Sequence, residues 1–297
     1  MIIGIDVGGT RVRIGAVEKD RTVSKMELIP TEEVFGKGTE SFIPVLKKFI
    51  AEYGEKPLAV AMSFPSILSR DKRRIISTAN ISYLQNVDMA DIIEKETGIP
   101  AFLNHDVKSL LEYDIDHFGL ETNDTEIVGV YIGTGFGTTF CIDGRFLKGK
   151  NGGAGEMGHM PYPGAEGICG CGKKGCVETV AAGKRLEAIK AEFYPEESFS
   201  DIFKNHSEDG VVVDFIGKMA MPIATAISVF DPDYIVLGGG VINTEHFPKK
   251  LLEEKIYEQV RKPLPAENLV YIYSPAGQEN GVIGSAIYAE KELKKRG

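Results

Sequence analysis

The sequence lacks an excess of positive charge. Its 34 lysines and arginines stand against 43 aspartates and glutamates, which gives a formal net charge of −9. Non-specific binding of nucleic acid requires a basic surface, so the composition argues against a nucleic-acid partner. The sequence also lacks an apolar run of about 18 residues and a basic, then apolar, leader at its start. We therefore expect a cytoplasmic protein without a membrane partner.

Cysteine is scarce: there are four, and three of them, Cys169, Cys171 and Cys176, form a C-x-C-x4-C cluster downstream of His159. Thiolate and imidazole are ligands that Zn²⁺ prefers, and four of them complete a tetrahedral structural site. The alternatives are unpaired buried cysteines or a disulfide in a secreted protein. An odd cluster without a leader fits a disulfide framework poorly, so the pattern predicts a structural zinc site. The fourth cysteine, Cys141, is expected to be a buried strand residue.

Two glutamates, Glu156 and Glu178, flank this cluster. A closed site of three thiolates and an imidazole has no open position for water, so the metal should hold the loop rigid rather than catalyse. Carboxylates accept hydrogen bonds from neighbouring hydroxyls, which suits a sugar or another polyol. The alternative is that each glutamate is a solvated charge or a helix N-terminal acid.

The two commonest nucleotide-binding signatures, the P-loop and the helix-opening G-x-G-x-x-G, are missing. Three glycine-rich turns follow apolar strands instead. Turn amides can bind phosphate oxygens, and an acid at a strand end can hold a hydrated Mg²⁺. Together the turns favour a nucleotide cleft, although ordinary hairpins use the same residues. The residues concerned are Asp6, Gly8, Gly9, Thr10 and Arg13 in the first turn, Gly133, Thr134, Gly135 and Gly137 in the second, and Gly238, Gly239 and Gly240 in the third.

Strand patterns alternate with helix patterns, which predicts an α/β fold. The opening Ile3-Gly-Ile-Asp-Val7-Gly-Gly-Thr10 returns as Val128-Gly-Val-Tyr-Ile132-Gly-Thr-Gly135, offset by 125 residues. Read as a repeat, it predicts two lobes with one sheet-and-hairpin plan; chance similarity of hairpins is the alternative. Helical spacing continues over 180–193 and over 210–230, where Pro222 predicts a kink.

Asp106 stands where an apolar strand gives way to a helix pattern. It could cap that helix. It could also act as a general base, because strand ends in α/β folds are where ligands bind and a hydroxyl nucleophile needs a proton acceptor. One residue could serve both purposes, and the sequence leaves both open.

Three motifs together resemble the ROK family of sugar kinases over essentially the whole chain: residues 6–13, Glu156-Met-Gly-His159, and 169–178. The resemblance implies a two-lobed actin-like, ribonuclease H-like duplicated ATPase fold with a small zinc knuckle. It implies ATP and Mg²⁺ as cofactors, structural Zn²⁺, phosphorylation of an aldohexose at the 6-hydroxyl, and a homodimer. We expect residues 1–119 to form the N-terminal lobe, with a helix over about 281–297 packing back on it. Residues 120–280 should form the C-terminal lobe, with the zinc-binding loop at 156–178.

The same resemblance implies roles for individual residues. Asp106 falls on the catalytic aspartate of the family, and Asn80, Glu156, His159 and Glu178 fall on sugar contacts. His159 would also ligate zinc with Cys169, Cys171 and Cys176. His105 stands where the family typically has asparagine, next to the sugar, which puts glucose in doubt as the substrate.

Within the family, residues 64–80, 230–233 and 261–265 are similar to those of kinases that act on D-allose. Kinases for glucose, fructose or N-acetylmannosamine are the alternatives. Two non-enzyme functions are further alternatives. A sugar-responsive regulator would need a DNA-binding module ahead of the strand that starts at Ile2, and an actin-like assembly ATPase would not need a zinc knuckle with sugar-type carboxylates.

Overall fold

The computed structural model describes residues 1–78, 81 and 83–296. The chain divides into two compact units. Unit 1 contains Met1–Leu120, Lys148–Ala154 and Gly277–Gly297, and unit 2 contains Glu121–Leu147 and Gly155–Ala276.

Twelve strands run through the described residues. They are β1 (Ile2–Val7), β2 (Arg11–Val17), β3 (Val23–Pro30), β4 (Val60–Phe64), β5 (Ser66–Leu68), β6 (Ile75–Thr78), β7 (Ala101–His105), β8 (Glu126–Ile132), β9 (Phe136–Ile142), β10 (Arg145–Phe146), β11 (Tyr234–Gly238) and β12 (Tyr271–Tyr273). The α-helices are α1 (Thr31–Phe35), α2 (Thr39–Tyr53), α3 (Met89–Thr97), α4 (Asp106–Phe118), α5 (Glu178–Ala181), α6 (Gly183–Phe193), α7 (Ile202–His206), α8 (Gly210–Phe230), α9 (Lys249–Gln259) and α10 (Asn280–Arg296).

The two large sheets share one plan. In unit 1 the strand order is β3-β2-β1-β4-β7, and in unit 2 it is β10-β9-β8-β11-β12. The first two strands of each unit form an antiparallel hairpin, and the later strands run parallel to the first. The structure therefore confirms the shared sheet-and-hairpin plan that the internal repeat predicts.

The central strands of unit 1 are buried along their length, as in β4, where all five residues are buried. Continuous apolar strands of this kind are typical of parallel pairing with both faces covered. On one face, Phe42, Leu46 and Phe49 of α2 enter the core. The other face is covered by α10, whose apolar residues pack with Ile2 and Phe102.

Helix α10 lies unusually close to α4. A Cβ atom added to Gly284 would stand 1.7 Å from the backbone oxygen of Ser109. Only a residue without a side chain fits at this contact, so Gly284 sets the spacing of the two helices.

In unit 2, the single helix predicted over 180–193 is wrong. Two helices, α5 and α6, are separated by Ala182, which adopts an extended backbone (φ −123°, ψ 175°). The break frees the backbone N–H of Gly183, which donates to the backbone oxygen of Gly133 at 2.8 Å. A tertiary hydrogen bond thus interrupts the local helix pattern and fixes one of the glycine-rich turns.

Helix α8 is the longest element of unit 2 and continues from Gly210 to Phe230 through Pro222. By length and composition it is apolar enough to cross a membrane. Its buried residues, among them Phe215, Met219 and Ile223, pack in the core of unit 2, as those of a core helix do.

Candidate active site

Asp6 is held at the end of β1 by residues from both neighbouring strands. Arg13 of β2 donates from Nη1 to its Oδ2 at 3.2 Å, and Ser63 of β4 donates from Oγ to its Oδ1 at 3.2 Å. Burial raises the pKa of the Asp6 carboxyl, against the opposing effect of Arg13 and Ser63. A half-buried carboxylate in such a frame suits a hydrated divalent cation, whose charge would favour its ionised form.

The turn that follows Asp6 is braced on one side and exposed on the other. The backbone N–H of Gly8 donates to Arg11 at 2.9 Å, and the hydroxyl of Thr31 donates to the backbone oxygen of Gly8 at 2.8 Å. Gly9 and Thr10 are exposed. Their backbone is therefore accessible to a phosphate group.

Asp106 is the first residue of α4, directly after β7. The N-cap position belongs to His105, whose backbone is extended (φ −73°, ψ 142°), so Asp106 is not the cap. Its Oδ1 nevertheless accepts the N–H of Val107 at 2.8 Å, one of the free amides of the first turn. The helix N-terminus favours the ionised carboxylate, which is the form that a general base requires.

The neighbours of Asp106 carry charges that the sequence motifs did not reveal. Burial first, and then Lys108 and Lys72, lower the pKa of His105 to about 4, so its imidazole is neutral at pH 7. Lys72 donates to Oδ1 of Asn104 at 2.7 Å, and Nδ2 of Asn104 donates to Ser109 at 3.2 Å. The sequence signal for these charges is Lys108, because a lysine in the first turn of a helix opposes the helix dipole. The predicted sugar contact Asn80 lies outside the described residues.

In unit 2, the predicted zinc ligands converge. The ligand atoms of His159, Cys169, Cys171 and Cys176 all lie within 4.8 Å of one another. The Nδ1 atom of His159 is 3.5 Å from Sγ of Cys169, and the Sγ atoms of Cys171 and Cys176 are 3.7 Å apart. Within the described part of the chain, no disulfide joins Cys169, Cys171 or Cys176.

These distances fit a tetrahedral metal site. Typical zinc–ligand bond lengths place two sulfur ligands about 3.8 Å apart, and a sulfur and a nitrogen about 3.6 Å apart. Burial raises the pKa of the Cys169 thiol to about 12 and also raises that of Cys176. Burial opposes ionisation of Cys171 as well, but the N–H of Lys173 and the other two thiols lower its pKa overall. The donor set and its spacing therefore suit Zn²⁺.

Glu178 joins this cluster to the second glycine-rich turn. It is the first residue of α5, and its Oε2 accepts the N–H of Phe136 at 3.1 Å. Its Oε1 is 3.6 Å from Sγ of Cys169, and a Cβ added to Gly135 would stand 2.3 Å from Oε2. The carboxylate is thus fixed between the β8–β9 turn and the knuckle.

Glu156 and His159 lie on the other side of the knuckle. The Nε2 atom of His159 is 3.9 Å from Oε2 of Glu156. Because Nδ1 of His159 faces the sulfur atoms, Nε2 is the nitrogen left for another partner.

The second and third glycine-rich turns meet in unit 2. A Cβ on Gly239, whose φ is +94°, would stand 2.6 Å from the backbone of Ile132. The N–H of Val241 donates to the backbone oxygen of Ile132 at 2.9 Å. The segment Gly238–Gly240 therefore lies against the end of β8, beside Gly133. Thr134 and Gly137 belong to the same β8–β9 hairpin as Gly133.

Two five-stranded sheets of one order, each carrying a glycine-rich hairpin turn, define the duplicated α/β architecture of actin-like phosphotransferases. The sequence pattern of the ROK family matches residues 2–292, and the chain belongs to this family.

Similar proteins support this family assignment. The N-acetyl-D-glucosamine kinase of Vibrio parahaemolyticus is 28% identical, over 96% of this chain and 98% of that protein. The glucokinase of Thermotoga maritima is 26% identical, over 98% of each chain. The crystal structure of a ROK family glucokinase from Streptomyces griseus in complex with glucose and AMPPNP covers 98% of this chain and 99% of its own, with 21% identity and a TM-score of 0.79. These findings confirm the predicted ROK-family sugar kinase and its actin-like α/β fold.

Proposed function

We propose that the protein transfers the γ-phosphoryl group of ATP to the 6-hydroxyl of an aldohexose, with D-allose as the acceptor. The observation that carries the proposal is the position of Glu178. Its carboxylate lies between the glycine-rich β8–β9 turn, whose amides can bind phosphate, and the predicted zinc ligand Cys169. A carboxylate fixed in this way can bind two neighbouring hydroxyls without losing freedom on binding.

The nucleotide takes the glycine-rich turns. In unit 1, amides near Gly8, Gly9 and Thr10 are available to phosphate oxygens; in unit 2, amides near Gly133 to Gly137 offer the same groups. Arg13 holds Asp6 in place, and Asp6 would hold hydrated Mg²⁺, which would neutralise phosphate charge. Gly238 and Gly239 let this backbone pack closely on its neighbours, and Gly240 lets the base approach the backbone, because nothing lies within 4 Å of a Cβ added there.

Asp106 acts as the general base. Its carboxylate accepts the proton of the 6-hydroxyl while that oxygen attacks the γ-phosphorus in line. The bond between the γ-phosphorus and the β,γ-bridging oxygen breaks, and ADP leaves with the bridging oxygen. Phosphoryl transfer requires little covalent help, so positioning and charge neutralisation supply most of the rate.

In unit 2, the side chains of Glu156, His159 and Glu178 offer hydrogen-bonding groups to the sugar, and in unit 1 His105 offers a donor and an acceptor. Zinc on Nδ1 of His159 and on the three thiolates would supply rigidity, and it would leave the proton of the imidazole on Nε2 as a donor. No chemical step requires the metal.

The acceptor is assigned through His105. A buried, neutral imidazole stands beside Asp106 in place of the amide typical of the family. The imidazole offers one hydrogen-bond donor and one acceptor, and its ring is wider than the amide group of asparagine. This suits a hexose whose hydroxyl directions differ from those of glucose. N-acetyl-D-glucosamine is the second candidate, favoured by the relative from Vibrio parahaemolyticus.

A coupled assay of ADP release tests the proposal with D-allose, glucose, mannose, fructose, N-acetylmannosamine and N-acetylglucosamine. We expect the highest kcat/KM with D-allose. We expect Asp106→Asn to lower kcat by about 10²–10⁴-fold, the usual contribution of a general base, with sugar affinity within a few-fold of the wild type.

Asp124→Asn is the matched control, because Asp124 is an exposed loop residue with φ +52°, a conformation that asparagine tolerates. If Asp106→Asn turned over at nearly the rate of this control, the assignment of Asp106 as the general base would be refuted. ADP release that no sugar increases would favour an assembly ATPase, and the highest efficiency with another sugar would reassign the acceptor.

A further inference from the structure

The turn between β5 and β6 carries three consecutive cations, Lys72, Arg73 and Arg74. Arg73 forms an ion pair with Glu94 of α3, and Arg74 forms one with Asp88 just before that helix. Lys72 instead reaches β7, where it donates from Nζ to the side chain of the strand. Two cations therefore hold the turn on α3, and the third holds it on β7.

The bond from Lys72 sets the direction of the Asn104 amide. An ammonium group can only donate, so Oδ1 of Asn104 faces Nζ of Lys72, at 2.7 Å, and Nδ2 is left to donate to Oγ of Ser109, at 3.2 Å. Asn104 is 1% exposed and Ser109 0%, so these bonds are shielded from water. The ring of Tyr288, centred 4.2 Å from Nζ, limits the movement of the ammonium group.

The two bonded residues bracket Asp106. Asn104 lies at the end of β7, and Ser109 lies in the first turn of α4. A helix start is commonly fixed by the side chain of its N-cap residue, but His105 makes no such capping bond with the described part of the chain. The bond between Asn104 and Ser109 spans this junction instead. The direction of the Asp106 carboxylate therefore depends on it.

Keeping an ammonium group at this position costs free energy. Burial first, and then Lys108 and Lys148, lower the pKa of Lys72 to about 7, against the opposing effect of Glu292 and Glu112. The backbone of Lys72 is also constrained, because its φ is +56°, which a long side chain rarely adopts. Strained and desolvated groups are concentrated at functional sites, which favours a role for this ammonium group beyond the filling of space.

We propose that Lys72 is a positioning residue, which fixes the junction of β7 and α4 through Asn104 and Ser109 and so directs the carboxylate of Asp106. Its effect on turnover rests on the proposed function, in which Asp106 is the general base. Its effect on the junction does not. Because a displacement of about 1 Å can cost about 10²-fold in rate, the loss of Lys72 should lower turnover rather than sugar binding.

Kinetics of Lys72→Met at about pH 6.5, where the ammonium form prevails, test this role with the best acceptor of the sugar panel. We expect kcat to fall about 10- to 100-fold, with KM for sugar and for ATP within about threefold of the wild type. Lys72→Arg keeps a donor and should recover most of the loss. Arg74→Met is the matched control, because it removes a cation of the same turn that is bound to Asp88.

Two further measurements follow the path from Lys72 to Asp106. In the protein without substrates, Lys72→Met should speed hydrogen exchange about three- to tenfold in peptides that cover 104–112, and Arg74→Met should not. Ser109→Ala should also lower kcat. Adding Lys72→Met to Ser109→Ala should then have a much smaller effect than in the wild type, since both residues act through Asn104.

The outcomes separate this proposal from the proposed function. If no sugar draws phosphate from ATP, the proposed function fails, and the exchange measurement still decides whether Lys72 fixes the junction. The proposal is overturned if exchange over 104–112 is the same in Lys72→Met and Arg74→Met, or if an active enzyme keeps its kcat in Lys72→Met. It is also overturned if Lys72→Arg is no better than Lys72→Met, or if the effects of Lys72→Met and Ser109→Ala on kcat multiply as independent changes do.

Discussion

At the scale of single residues, the charge state of His105 is set by its surroundings. Its ordinary pKa is near 6.5, and burial with two nearby lysines lowers it to about 4. Between these values the unfolded chain binds the proton and the folded chain does not. The contribution of His105 to stability is therefore fully present above pH 6.5 and is lost as the pH falls toward 4.

Replacing the ring tests this reasoning. We expect His105→Asn to flatten the dependence of the unfolding free energy on pH between 4 and 6.5, by roughly 1–3 kcal/mol over that window. Urea denaturation at four pH values measures the slope. His246→Asn is the control, because His246 is exposed; parallel curves for the wild type and His105→Asn would contradict the pKa assignment.

The sequence alone could predict the residues that lie close together along the chain. The three clustered cysteines and the helix that starts at Asp106 are local patterns, and the structure has both. The bond from Lys72 to Asn104 could not be predicted, because it joins a hairpin turn to a strand 32 residues away. The break at Ala182 was missed for the same reason, since its cause is Gly133 on another element.

At the scale of elements, the packing of α10 on α4 depends on the missing side chain of Gly284. We expect Gly284→Ala to destabilise the protein by about 2–4 kcal/mol, because the added methyl group meets backbone, which cannot rotate away. Gly217→Ala in α8 has nothing within 4 Å of the added atom. That helical substitution should instead stabilise by roughly 0.5–1 kcal/mol.

Chemical denaturation of the two variants and the wild type measures the difference. Equal stabilities for the two alanine variants would mean that α10 and α4 adjust freely, and the close contact would then have no energetic weight.

At the scale of the whole molecule, the predicted zinc ligands belong to one unit only. All four ligands lie in unit 2. We expect about one zinc per purified chain, the usual content of such a site, and we expect Cys171→Ser to lose it. Hydrogen exchange should then increase around the β8–β9 hairpin and α5, which Glu178 and Cys176 connect, while the β1–β4 region keeps its protection.

Metal analysis and exchange measurements on the same samples check both parts. Cys141→Ala is the control, since it removes a buried thiol from β9 and should keep the zinc. Full zinc content in Cys171→Ser, or an equal rise of exchange in both units, would contradict this assignment.

The chain passes from one unit to the other four times, after Leu120, Leu147, Ala154 and Ala276. Helix α10, which covers one face of the first sheet, is therefore made after all of unit 2. During synthesis, the unit that emerges first from the ribosome is consequently the one that is finished last. Until α10 is made, Ile2 and Phe102 on the sheet of this unit stay uncovered. A chain interrupted anywhere before Gly277 would leave that apolar face accessible to chaperones and proteases.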